Sequence, residues 1–122
     1  MDNLVLGDLE VEVTDDPGSD WIRLAWKGRS NDRQPGKVLD PYFDALVRDA
    51  ASRSVGIEMR FDRLEHFNSS TITSLIGLVQ QARSRGVKLG LLYDKSLKWQ
   101  KLSFDALRVL GKEDGLLEIR PV

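Results

Sequence analysis

The sequence predicts a two-layer α/β domain built on a mixed sheet of four to five strands. Three observations lead there. Short segments alternate apolar and charged residues, as half-buried strands do. After an initial pair, segments with three- and four-residue apolar spacing separate successive strands, which implies parallel pairing through right-handed crossovers. Strands covered on both faces would read as continuous apolar runs, so the surviving alternation places the helices mainly on one face. The expected order is β-β-α-β-α-β-α-β, in a single domain spanning residues 1–122.

Leu9-Glu10-Val11-Glu12-Val13 is the first strand. Thr14 to Asp20 is dense in turn formers, and Trp21 to Lys27 resumes the alternation with Ile22, Leu24 and Trp26 on one side. The two runs make an antiparallel hairpin, with Glu10 and Glu12 facing Arg23 and Lys27 on its wet side. Gly28 to Gly36 carries no periodicity and reads as a strongly polar loop. Asp40-Pro41 has the form of a helix start, and Leu39, Phe43, Leu46, Val47 and Ala50 supply the stripe that follows, to about Ser52. Val55 to Phe61 is a third strand.

Phe61 to Gly86 is the centrepiece. A strand ends, a polar knot Asn68-Ser69-Ser70-Thr71 breaks the pattern, and a helix with Ile72, Leu75, Ile76, Val79 and Ala82 on one face leaves it. The knot offers side chains to the unpaired N–H groups of a first helical turn, and Arg83, Arg85 and Gly86 close the other end. Val87 to Leu92 is a fourth strand. Ser96 is placed to cap a last helix reaching about Leu110, with Leu102, Ala106, Val109 and Leu110 inward. Trp99 and Phe104 then fall off that stripe, to cover the sheet edge or to form a docking patch. Leu116 to Arg120 adds a terminal strand.

Composition narrows the function. Eighteen basic against nineteen acidic residues give a formal charge of −1, without the basic excess of a nucleic-acid binder. Cysteine is absent, which removes thiol nucleophiles, disulfides and cysteine metal sites. The opening MDNLVLGDLE lacks a basic region and a long apolar run, and no stretch approaches the roughly 20 apolar residues of a membrane helix. A cytoplasmic protein with no membrane or nucleic-acid partner is expected. His66, the sole histidine, stands near Ser69, but no acid completes a triad and no nucleophile elbow is present. Neither phosphate-cradling glycine motifs nor a metal-ligand spacing occurs, so no cofactor and no enzymatic activity are expected.

The knot itself reads first as a helix cap. The same helix N-terminus, with its partial positive charge and free N–H donors, also tolerates a phosphoryl group, which would alter docking rather than folding. The polar loop around Asn31, Asp32 and Arg33 is either a solvated connection or a second contact for a partner.

The stretch from Phe61 to Leu92, with the hairpin and last helix, resembles the STAS domain (sulfate transporter and anti-sigma factor antagonist), in its stand-alone bacterial anti-anti-sigma form. The family motif Asp-Ser-Ser/Thr-Gly follows a strand and opens a helix; Asn68-Ser69-Ser70-Thr71 occupies that place. Gln81 to Leu89 resembles the family's run from helix end into the next strand, and the topology agrees from about Leu9 to Ile119. The resemblance implies a non-catalytic signalling module that binds a serine kinase or anti-sigma-like protein. It also implies phosphorylation at Ser69, with Ser70 as alternate, reversed by a phosphatase. Partner contacts fall on Asn68, Ser69, Ser70 and Thr71, with Asn31, Asp32 and Arg33 beside them. Ser70 is the helix cap or the alternate acceptor, and Asn68 positions the turn. Two departures stand out: Asn68 removes the motif's acidic charge, and Thr71 puts a β-branched side chain where a partner would approach. Competing readings are a small anionic-ligand or enzymatic α/β domain, with a pocket beside Ser69 lined by Arg33 or His66, and a purely structural subunit.

Overall fold

The computed structural model describes residues 1–122. The strands are β1 (Leu4–Leu6), β2 (Leu9–Thr14), β3 (Trp21–Ser30), β4 (Gly56–Phe67), β5 (Leu89–Tyr93) and β6 (Leu117–Pro121). The helices are α1 (Gly36–Arg53), α2 (Ser69–Ser84) and α3 (Lys98–Leu107), the last continued by a 3-10 turn over Arg108–Leu110. The strands form one six-stranded sheet in chain order. β1, β2 and β3 are antiparallel neighbours, and β3 through β6 are parallel. Each crossover steps one strand further in the same direction. Right-handed connections taken that way lay their helices on the same face.

Burial follows the two-layer expectation. Leu9, Val11, Ile22, Leu24, Trp26, Ile57, Met59, Leu89 and Leu91 are buried beneath the helices. Glu10, Glu12, Arg23, Arg60, Glu118 and Arg120 stand exposed on the other face. Lys27 pairs with Glu12 across the hairpin at 2.8 Å, whereas Arg23 turns to Glu58 on β4 at 3.5 Å. No helix is long and apolar enough to cross a membrane.

Several boundaries differ from the sequence expectation, each for a local reason. β1 makes the sheet six-stranded; three residues are too few to display an alternation. β3 runs on through Gly28 to Ser30, so the polar loop shrinks to residues 31–35. Gly28 has φ 81, and a Cβ there would strike the Asp8 carbonyl, so this glycine belongs to a strand pressed under the β1–β2 turn. α1 begins at Gly36 behind Pro35, leaving Pro41 inside the helix although its ring nitrogen cannot donate to the Lys37 carbonyl. The expected α1 stripe is nonetheless the buried one. In α2, Thr71, Leu75, Leu78 and Ala82 are innermost, and Ile72 and Ile76 are half-buried at the flank.

The face of α3 is the main correction. Leu102 is 62% exposed and Val109 83%, and Ala106 is exposed as well; Gln100, Phe104 and Leu107 point inward. Ser96 does not cap the helix, whose N-cap is Leu97; it closes a turn on the Asp94 carboxylate instead. The inward polar residue has a task. β4 pairs with β5 only from Ile57 to Arg60, and Gln100 Nε2 donates to the carbonyls of Phe61 (2.6 Å) and Leu64 (3.0 Å) beyond that point. Its Oε1 accepts the Asp94 N–H at 2.8 Å. Phe104 packs at 4.9 Å from Phe61 and stacks on Tyr93 at 5.2 Å, and Trp99 meets Phe67 edge-on at 5.2 Å. Both aromatics cover the sheet rather than form a free patch.

This assignment is open to measurement. Phe104→Ala is expected to cost about 3–5 kcal/mol in urea unfolding, whereas Leu102→Ala stays within about 0.5 kcal/mol. Equal losses would put the helix face back where its aliphatic spacing suggests.

Candidate functional site at the start of helix α2

β4 delivers Phe67 to the core and then leaves the sheet at Asn68, which is extended (φ −89, ψ 173) and caps α2. Its Oδ1 accepts the Thr71 N–H at 2.9 Å and the Thr71 hydroxyl at 2.7 Å. Its Nδ2 donates to the Asp32 carbonyl at 2.8 Å, and its own N–H donates to the Ser30 carbonyl at 3.1 Å. Thr71 is wholly buried, with its Oγ1 2.7 Å from the Ser30 hydroxyl across 41 residues of chain. With one proton on each hydroxyl, every group is served if Ser30 donates to Thr71 and Thr71 donates to Asn68. The turn is thereby fastened to the end of β3 and to the loop of residues 31–35.

Ser69 and Ser70 are the residues this network leaves free. Both are exposed, and neither hydroxyl makes a hydrogen bond within the chain; the Ser69 carbonyl also accepts the Thr73 hydroxyl at 3.2 Å. Their N–H groups belong to the first turn, which has no intrahelical acceptors. The cap is therefore Asn68 and not Ser70, because the asparagine alone occupies the extended position from which a side chain reaches back to the third helical N–H. Thr71 does not stand on the outer surface, since its hydroxyl is needed inside.

Asn31, Asp32 and Arg33 lie exposed beside the turn. The Asp32 carboxylate folds onto the Gln34 N–H at 2.8 Å while its carbonyl serves Asn68. His66 is not in a loop: it sits on β4 opposite Arg29, half-buried. Next to Ser70 an open depression of about 440 Å³ is lined by Arg33, Pro35, Lys37, Asp40, Thr73 and Ser74; His66 takes no part in it. A larger cleft of about 510 Å³ lies at the far end of β4, around Trp21, Ser54, Arg85 and Lys88, the length of the strand away. No group of three or more His, Asp or Glu side chains is placed to hold a metal ion.

Ser30, Lys37 and Ser74 were not singled out by sequence. Ser74 carried a usable signal, standing four residues after Ser70 and hence under it on the same helix face. Ser30 carried none, its partner being set by the sheet register.

No protein-family model matches the chain, and no curated protein matches it by sequence. Solved structures do match it. An anti-sigma factor antagonist from Mycobacterium paratuberculosis superposes with a TM-score of 0.63 at 14% identity, over 94% of this chain and 90% of that one. The anti-sigma factor antagonist SpoIIAA in its unphosphorylated form gives 0.51 at 16% identity, over 75% and 79%. The chain has the STAS fold. A chain in the complex of the diguanylate cyclase SiaD with its activator SiaC, from Pseudomonas aeruginosa, matches at 0.64 and 15% identity, over 98% of each. Within this STAS fold Asn68 does what an aspartate at its place would do as acceptor. It also donates through Nδ2 to the Asp32 carbonyl, which a carboxylate would not.

Two variant sets test the network. Asn68→Ala should lose about 1–2 kcal/mol of stability. Asn68→Asp, which keeps the cap and adds charge at a favourable helix end, should lose less. Thr71→Val strands the buried Ser30 hydroxyl and is expected to cost about 1–3 kcal/mol. Adding Ser30→Ala to it should cost less than the two single changes summed. Additive losses in urea unfolding would mean that the two hydroxyls are not coupled.

Proposed function

We propose that this chain is a non-catalytic regulatory module that docks a partner-switching serine kinase or anti-sigma-like protein. Docking uses the surface of Ser69, Ser70 and the loop of Asn31, Asp32 and Arg33. The observation that carries the proposal is the division of labour at the turn: Asn68 and Thr71 make the cap, and the exposed Ser69 hydroxyl makes no hydrogen bond. A phosphoryl group on Ser69 therefore removes no internal contact. The shared fold supports the reading, since the similar structures include anti-sigma factor antagonists and a chain from a complex of an enzyme with its activator.

In the switching step the Ser69 oxygen attacks the γ-phosphorus of ATP held by the kinase. The new O–P bond forms, the bond to the β,γ-bridging oxygen breaks, ADP leaves, and the hydroxyl proton passes to a base of the kinase. A phosphatase restores the serine by hydrolysis. The phosphoryl group brings nearly two negative charges and three acceptors into the contact surface. At a helix N-terminus that charge is tolerated by the fold, so the change falls on docking.

Capture from the native organism's lysate tests this. Wild type and Ser69→Ala should retain a kinase-like partner that Ser69→Asp loses, while the thermal midpoint of Ser69→Asp stays at or above that of wild type. Equal retention by Ser69→Ala and Ser69→Asp would reduce Ser69 to an ordinary first-turn residue. A lowered midpoint would make the effect one of folding.

A further inference from the structure

Ser69 and Ser70 are neighbours in sequence but stand about 100° apart around the helix. Ser70 lies on the rim of the depression with Arg33, Lys37, Thr73 and Ser74; Ser69 does not. Arg33 and Lys37 are exposed, and none of the chain's ion pairs uses either. Asp40 is the one acidic side chain on the lining, which leaves two cations to one anion. Its carboxylate crowds Gly36, where a Cβ would come within 3.0 Å of Oδ2.

Ser74 supplies an independent sign. It is 5% exposed, lines the depression one helical turn below Ser70, and its hydroxyl makes no hydrogen bond within the chain. The chain's one fully buried side-chain polar atom without a partner is Trp26 Nε1; the Ser74 oxygen instead opens into the depression, where it is free to donate to a phosphate oxygen beside two unpaired cations. The first-turn N–H groups of α2 face the same kind of group.

We infer that the depression is an in-chain phosphate receptor, which holds a phosphoryl group carried on Ser70 and leaves one carried on Ser69 in solvent. The inference rests on reading the turn as a phosphorylation-controlled docking surface and distinguishes its two serines. Phosphoryl transfer to Ser70 follows the same balance as for Ser69, with ATP of the kinase as donor and ADP leaving. Arg33 and Lys37 then neutralise the new charge, and the Ser74 hydroxyl donates to a phosphate oxygen. Because Arg33 belongs to the loop of residues 31–35 and Ser70 to α2, the phosphate ties the two together across the Asn68–Asp32 contact. A partner would meet an unpaired charge after modification of Ser69, and after modification of Ser70 a stiffened surface whose added charge is paired with Arg33 and Lys37.

The test uses the full chain with phosphoserine installed during translation at position 69 or position 70, followed by phosphorus NMR across pH. The helix terminus acts on both phosphates, so the comparison isolates the receptor. The phosphate at position 70 should titrate about half a unit or more below that at position 69. The gap should close in the Arg33→Gln, Lys37→Gln variant, whose folding is checked by its amide spectrum. Coincident titrations, or a gap that survives in that variant, would overturn the receptor. Neither result depends on whether Ser69 controls docking, which the lysate capture decides separately.

Discussion

The end of the molecule that presents Ser69 and Ser70 depends on strand β4 outrunning β5. Parallel pairing between the two stops at Arg60, yet β4 continues to Phe67 with only β3 beside it. A strand end open on one side would leave buried carbonyls without donors, at a cost of about 1–3 kcal/mol for each unsatisfied group. Gln100 removes that cost by reaching from α3 to Phe61 and Leu64. Two register shifts against β3 set Phe61, Leu64 and Phe67 three residues apart, and all three face inward. Phe61 then sits between Trp26 and Phe104, at 5.0 and 4.9 Å. The position of Asn68, and so of the serines after it, is inherited from this anchored overhang.

Capping and presentation are separated at the turn that results. The side chains that satisfy the helix start belong to Asn68, Thr71 and Ser30, on two different segments. The side chains offered to solvent, on Ser69 and Ser70, hold nothing in place. A neutral amide at the cap keeps formal charge away from the exposed hydroxyls, while its second hydrogen bond ties down the neighbouring loop. Chemistry on the outside can therefore change without loosening the inside.

Much of this was legible in the sequence where a repeating pattern met a single environment. β2, β3 and β6 alternate because one face of the sheet is wet, and α1 shows its stripe because one side lies on the sheet, whereas β5 is buried along its whole length. The pattern failed where two patterns competed. In α3, Leu102, Ala106 and Val109 keep the spacing of a buried face, and Gln100, Phe104 and Leu107 keep it equally well. The glutamine makes the true face look polar, because its purpose lies in backbone carbonyls of a strand that no local window contains. The knot at residues 68–71 was visible as a helix start, but its inner member could not be told from its outer ones. The hydroxyl that claims Thr71 is brought in from Ser30 by the register of β3 on β4.

The two margins of the sheet carry a consequence of their own. An exposed strand edge is a template on which another chain can pair, and here both edges are blunted. β1 offers three residues, too few to hold a visiting strand. On the opposite margin β6 sets out Glu118 and Arg120 and ends at Pro121, whose ring nitrogen has no hydrogen to give. Growth of the sheet by strand addition is discouraged on both sides, so what the molecule holds out to its surroundings is side chains rather than unpaired backbone.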